Sequence, residues 1–121
     1  MTMNVEEYRN YCLSKKGVTE SFPFDQDTLV FKVMGKIFSI CALERIPAQV
    51  NLKCDPERAV SLREEYDGLI YPGFHMNKTH WNTVEIENNI PIGILLNLID
   101  HSYDLVVMGL TKKLKDELHQ L

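Results

Sequence analysis

Hydrophobic spacing along the chain alternates between a helical period and a period of two, and the changes mark out the elements. Asn4 and Glu7 stand three apart in the form of a capping box, Val5, Tyr8 and Cys12 follow on one helical face, and Gly17 is placed to stop the helix. The chain therefore opens with a helix. Ser21-Phe22-Pro23-Phe24-Asp25-Gln26-Asp27 reads as a rigid loop, because Pro23 restricts the residue before it and aspartates favour turns; its two aromatics are expected to pin it to the core. Thr28 to Val33 and Lys36 to Ala42 are rich in branched and aromatic residues and are separated by Met34-Gly35, the spacing of a tight hairpin in which the glycine takes positive φ. Ala48, Val50, Leu52 and Cys54 then alternate with Gln49, Asn51 and Lys53, which predicts a third strand with one dry and one wet face.

Asp55-Pro56-Glu57 supplies an N-cap, a first-turn proline and an acid near the positive end of a helix dipole, and Ala59, Val60, Leu62 and Tyr66 give that second helix an apolar side before Gly68. Leu69 to Tyr71 predicts a short strand ended by Pro72-Gly73. Trp81 to Ile86 predicts another, in which either Trp81, Thr83 and Glu85 or Asn82, Val84 and Ile86 face the core. After the Asn88-Asn89 turn, Pro91 starts a helix through Ile99, and Ser102 has the character of a cap for a last helix carrying Val106, Leu110, Leu114 and Leu118. The order α-β-β-β-α-β-β-α-α predicts an α+β domain whose mainly antiparallel sheet carries helices packed on one face. The other face is left to meet solvent or a partner.

Composition narrows the class without naming a function. A chain of 121 residues, 45% hydrophobic and 25% charged, suits a single domain over residues 1–121. Its longest run dominated by apolar residues, Ile90 to Ile99, is too short to span a bilayer, and the first residues lack a basic segment followed by an apolar one, so a cytoplasmic protein without a membrane partner is expected. Cys12, Cys41 and Cys54 are odd in number and far apart, which fits buried free thiols better than a disulfide framework or a metal knuckle. The net charge of −4 argues against broad attraction to nucleic acid or anionic membrane. It is unevenly divided, however, since residues 30–54 carry Lys32, Lys36, Arg45 and Lys53 against Glu44 alone.

Candidate chemistry concentrates in the stretch from His75 to Val84, which holds two imidazoles, an ammonium, two amides and the chain's one Trp. His75 and His80 are five residues apart, neither the helical HExxH spacing nor that of a short zinc ribbon, and no cysteine pair lies beside them, so no metal is expected. Ser102 is read as a helix cap, and Cys41 and Cys54 as apolar strand positions. With no GxSxG, P-loop or dinucleotide fingerprint, neither an enzyme nor a bound cofactor is expected. Lys112-Lys113-Leu114-Lys115 is read as a solvated helix end whose cations favour the C-terminal side of the dipole.

Five blocks taken together resemble the MmcQ/YjbR family of small bacterial proteins. They are Phe22-Pro23-Phe24, Val33-Met34-Gly35-Lys36-Ile37-Phe38, Leu52-Lys53-Cys54-Asp55-Pro56-Glu57, Asn77-Lys78-Thr79-His80-Trp81-Asn82-Thr83-Val84 and Ser102-Tyr103-Asp104-Leu105-Val106. The resemblance implies a fold like that of bacterial frataxin, with an antiparallel sheet packed against helices, and a DNA-binding role through a double-wing arrangement of hairpins. Iron binding does not carry over, since only Glu6, Glu7 and Glu20 lie in or near the first helix. On the DNA reading, Lys32, Lys36, Lys53 and Lys78 contact phosphates, Asn77, His80 and Asn82 hydrogen-bond backbone or base edges, and Trp81 stacks on an unpaired base. The competing readings make the lysines a solvated sheet face with Trp81 as a core anchor, or make the open face a protein-interaction surface with an apolar centre and a polar rim.

Overall fold

In the computed structural model, which describes residues 3–73 and 76–121, helix α1 (Val5–Leu13) is followed by strands β1 (Val18–Ser21), β2 (Thr28–Val33), β3 (Lys36–Ala42) and β4 (Gln49–Lys53). Helix α2 (Pro56–Glu65), strands β5 (Ile70–Pro72) and β6 (Trp81–Glu85), and helices α3 (Ile92–Met108) and α4 (Lys112–His119) complete the chain. The strands form one sheet in the order β1-β2-β3-β4-β6-β5, with every neighbouring pair antiparallel. The α+β class and the helix-covered sheet are those the hydrophobic pattern predicts.

Local chemistry accounts for the element ends. Asn4 and Glu7 close a reciprocal capping box, Asp55 accepts from the Arg58 amide at the start of α2, and Met34-Gly35 turns the β2–β3 hairpin with both residues at positive φ, 50° and 84°. On one sheet face Leu29, Phe31, Val50, Leu52, Ile70 and Val84 pack with Leu95, Leu98, Ile99 and Val106 of α3 and with Tyr8 and Cys12 of α1. Register settles the parity of β6. Val84 lies opposite Val50 and Asn82 opposite Leu52, both on the helical side, so Trp81, Thr83 and Glu85 belong to the open side. Among the described residues no helix is long and apolar enough to cross a membrane.

Four expectations are corrected. Val18–Ser21 is an edge strand that the sequence pattern does not predict, and its last residue falls in the stretch read as a loop. Its residues are mostly polar, and it is held by the ladder to β2 and by the Arg9–Glu20 pair at 2.7 and 2.5 Å. Phe22 and Phe24 do not anchor that loop in the core, being 49% and 65% exposed; Asp25, accepting from the Asp27 and Thr28 amides at 2.8 Å, holds it instead. Helix α3 runs unbroken through Ser102, which is fully buried, and the real cap of α4 is Thr111. Lys112, Lys113 and Lys115 consequently sit at the N-terminal end of α4, where the dipole disfavours cations.

A half-buried side chain of α3 also contacts the cap of α2. His101 Nε2 accepts the Asp55 amide at 3.1 Å, which requires that nitrogen to be unprotonated, and burial followed by the nearby Arg58 guanidinium holds the imidazole below its ordinary 6.5. The unfolded chain therefore takes up the proton first as pH falls. Stability is expected to decline from about pH 6.5 downward, levelling off once folded His101 is itself protonated. Melting curves between pH 7.5 and 5 should show this decline as a difference between the wild type and His101→Gln; parallel curves would remove His101 as its source.

Candidate nucleic-acid interface

Strand register brings most of the sequence-predicted residues to the hairpin end of the sheet, with Lys32, Lys53 and Trp81 on its open side and Lys36, opposite the core residue Val33, on its helical side. Lys32 pairs with Ile37 across the hairpin, Lys53 pairs with Trp81 across β4 and β6, and Lys36 and Lys53 together line a depression of about 250 Å³ with Ile37, Leu105, Val106 and Gly109. Trp81, the cross-strand neighbour of Lys53, is half-buried on the side away from the helices and does not serve as a core anchor. Among the described residues the ion pairs, Arg9–Glu20 and Lys15–Asp100, are made by other side chains.

The turn before β6 brings in the rest. The Cys54 amide donates to the His80 carbonyl at 2.7 Å, which ties the turn to the end of β4 beside Lys53. Asn77 shapes it, its Oδ1 accepting from the Thr79 amide at 2.9 Å and its carbonyl accepting from the Trp81 amide at 3.0 Å. Asn77, Lys78 and His80 are exposed. Asn82 is not part of this surface: it is 2% exposed on the helical side, where its Oδ1 accepts from Arg63 Nε at 2.7 Å and its Nδ2 donates to the Ala59 carbonyl at 3.4 Å. His75 lies outside the described residues, so its relation to His80 is not part of the geometry.

Two contributors escaped the sequence reading and a third was given another role by it. Arg63 of α2 reaches over to donate to the Lys78 carbonyl and, at 3.4 Å, to that of Trp81, clamping the turn to the helix layer. Gly73 lets β5 close on β6: a Cβ there would lie 2.9 Å from Trp81 Cβ and 3.0 Å from its carbonyl oxygen, while the Gly73 amide donates to that carbonyl at 2.9 Å. Lys112 and Lys113 follow closely on Gly109, which itself lines the Lys36–Lys53 depression, and both are exposed. A local signal existed only for the last, as a cationic run beside a polar cap residue.

The remainder of the open face is a groove of about 500 Å³. It is lined on one side by Ile37, Ile40 and Ala42 and on the other by Gln49, Asn51 and Thr83, with Phe24 and Met76 adding apolar walls and Arg45 charge. The thiols take no part: all three cysteines are free and buried, and burial pushes Cys41 up to about 11 and Cys12 up to about 12, so neither supplies a thiolate at neutral pH. Among the described residues no three His, Cys, Asp or Glu side chains gather as metal ligands.

A six-stranded antiparallel sheet together with four helices defines a small α+β class. Within it the chain belongs to the YjbR family, whose family model matches residues 13–105. It is similar to protein YjbR of Escherichia coli (strain K12), 33% identical over 120 residues that cover 98% of this chain and 100% of that one. It is also similar to protein YbdF of Escherichia coli O157:H7, 40% identical over 92 residues that cover 76% and 75% of the two chains. Among solved structures, the Deinococcus radiodurans protein DR2400 superposes with a TM-score of 0.90 at 37% identity, covering 98% of this chain and 89% of that one. A Pseudomonas syringae protein gives 0.73 at 28% identity, covering 85% and 98%.

Proposed function

We propose that this YjbR-family protein is a non-catalytic DNA-binding protein that takes an unpaired strand across the hairpin end of its open sheet face. The observation that carries the reading is the placement of Lys53 beside half-buried Trp81 on that face, with Lys36 sharing with Lys53 a depression at the rim of the sheet, against the C-terminal end of α3. Cations beside an accessible indole are what single-strand binding requires, because phosphates are neutralised while a base stacks on the ring. Lys78 extends the cationic end through the turn. Lys112 and Lys113 add charge at a helix end that does not reward it electrostatically, which gives their position a use. An overall charge of −4 then limits the attraction to this end.

Fluorescence anisotropy of labelled oligothymidylate tests the reading. Binding at low salt should weaken on a log–log plot with a slope of about −0.7 for each phosphate contact. Lys36→Ala combined with Lys78→Ala replaces two exposed side chains and should reduce that slope by about 1.4 without changing the melting temperature. An absence of binding at low salt, or an unchanged slope in the double variant, would overturn the assignment.

A further inference from the structure

Cross-strand rows divide the groove floor lengthwise. Ala42 pairs with Gln49, Ile40 with Asn51, and Asn51 in turn with Thr83, so β3 presents an aliphatic strip directly beside a polar strip from β4 and β6. A purely apolar ligand would strand the amides against hydrocarbon, and a fully polar one would waste the strip. The occupant therefore has one apolar surface and one hydrogen-bonding edge.

Bonds already made within the face determine what that edge must offer. The Glu85 carboxylate accepts only, so the Tyr71 hydroxyl gives its proton to Glu85 Oε2 at 2.8 Å, and the Tyr71 oxygen accepts from Gln49 Nε2 at 2.6 Å. This leaves Gln49 Oε1 as an acceptor. Burial and the bond to Glu85 push Tyr71 up to about 12, which keeps its proton in place at neutral pH. The Thr83 hydroxyl donates to Asn51 Oδ1 at 2.6 Å, leaving Asn51 Nδ2 as a donor. Gln49 and Asn51 are two apart on one strand, so their side chains leave the same face about 7 Å apart along it.

We propose that the groove binds a planar nitrogen heterocycle of the nucleobase type, its ring lying on Ile40 and Ala42 and its donor and acceptor edge meeting Gln49 Oε1 and Asn51 Nδ2. The groove volume of about 500 Å³ lies within the size range of small-molecule sites. The inference does not rest on the phosphate contacts. Ile37 lines both the groove and the lysine depression, however, so a base here and a phosphate there can belong to one strand. The shared chemistry is the base, whether from a free nucleoside or from a strand.

Methyl NMR of the full chain decides it, with adenosine, guanosine, cytidine and uridine as one set of probes, and a mixed-base oligonucleotide and an abasic strand of equal length as the other. At least one nucleoside, or the base-bearing strand, should produce saturable shifts at the Ile40 methyls, and the abasic strand should leave them unmoved. A response to nucleosides identifies a free ligand as sufficient; a response to the base-bearing strand alone identifies the strand as the source. Asn51→Leu should weaken the response about ten-fold, the loss expected of one hydrogen bond and the stranded ligand atom. Ala42→Leu, which fills the strip, should abolish it. Silence at Ile40 with every base-bearing probe overturns the proposal, as does an undiminished response in either folded variant. Lys36→Ala with Lys78→Ala should leave the nucleoside response intact, so this site and the phosphate contacts can fail separately.

Discussion

Ser102→Val should lower the unfolding free energy by roughly 2 to 5 kcal/mol, because a buried backbone carbonyl and a part-buried amide lose their partner at once. Strand β3 is bulged where Phe31 pairs with Ser39 and Lys32 with Ile37, leaving Phe38 without an opposite residue on β2. The Phe38 carbonyl is instead met by the Ser102 hydroxyl at 2.5 Å, and the same oxygen accepts the Lys53 amide at 2.9 Å. One side chain of α3 thus completes the hydrogen bonding of two strands in a site with no exposure. Against a typical domain stability of about 5 to 15 kcal/mol, the loss is large enough to lower Tm by about 10 °C or more. Urea unfolding measures it, and amide exchange locates it, since the Lys53 amide should be deprotected beyond the global change. Ser102→Thr keeps the hydroxyl and should lose less. Equal losses for Val and Thr would show that volume, not hydrogen bonding, is what the site requires.

Arg63→Met should destabilise the fold by roughly 2 to 4 kcal/mol and also weaken strand binding, although Arg63 itself lies on the helix layer. Its Nε satisfies the buried Asn82 Oδ1, and its Nη2 holds the Lys78 and Trp81 carbonyls. Removing it leaves an amide oxygen dry inside the core and frees the turn that presents Lys78 and His80. The two effects separate in the double variant Arg63→Met with Asn82→Leu. Replacing both buried partners by apolar groups should restore much of the stability, whereas the turn remains unclamped and binding stays weak. Equal recovery of stability and binding would show that Arg63 acts on binding only through folding.

These two residues also show where sequence reading reaches its range. Elements decided by local chemistry were legible: the capping box at Asn4, the Met34-Gly35 hairpin, Asp55-Pro56 opening α2 and the alternation through β4 all have causes within a few residues. Ser102 carries the same local signal as a cap, and only a bulge 64 positions away makes it a buried linchpin. Strand β1 was hidden because an edge strand supported by its neighbour's backbone needs little hydrophobic pattern of its own. The candidate site was legible as a set of cations and one indole. The division between Asn82 inside and Trp81 outside was not, because parity in β6 depends on its register against β4. Gln49 and Asn51 were visible as the wet positions of a strand, but the proton bookkeeping that leaves one acceptor and one donor requires Tyr71, Glu85 and Thr83 in place.

The position of Trp81 has a practical consequence. With the single indole placed on the open face, away from the helical core, its emission colour reports the polarity of that face and is only indirectly sensitive to packing beneath the sheet. The protein thus carries a built-in optical probe on the face proposed to bind the strand, and label-free quenching can be followed in real time while far-ultraviolet dichroism tracks the fold separately.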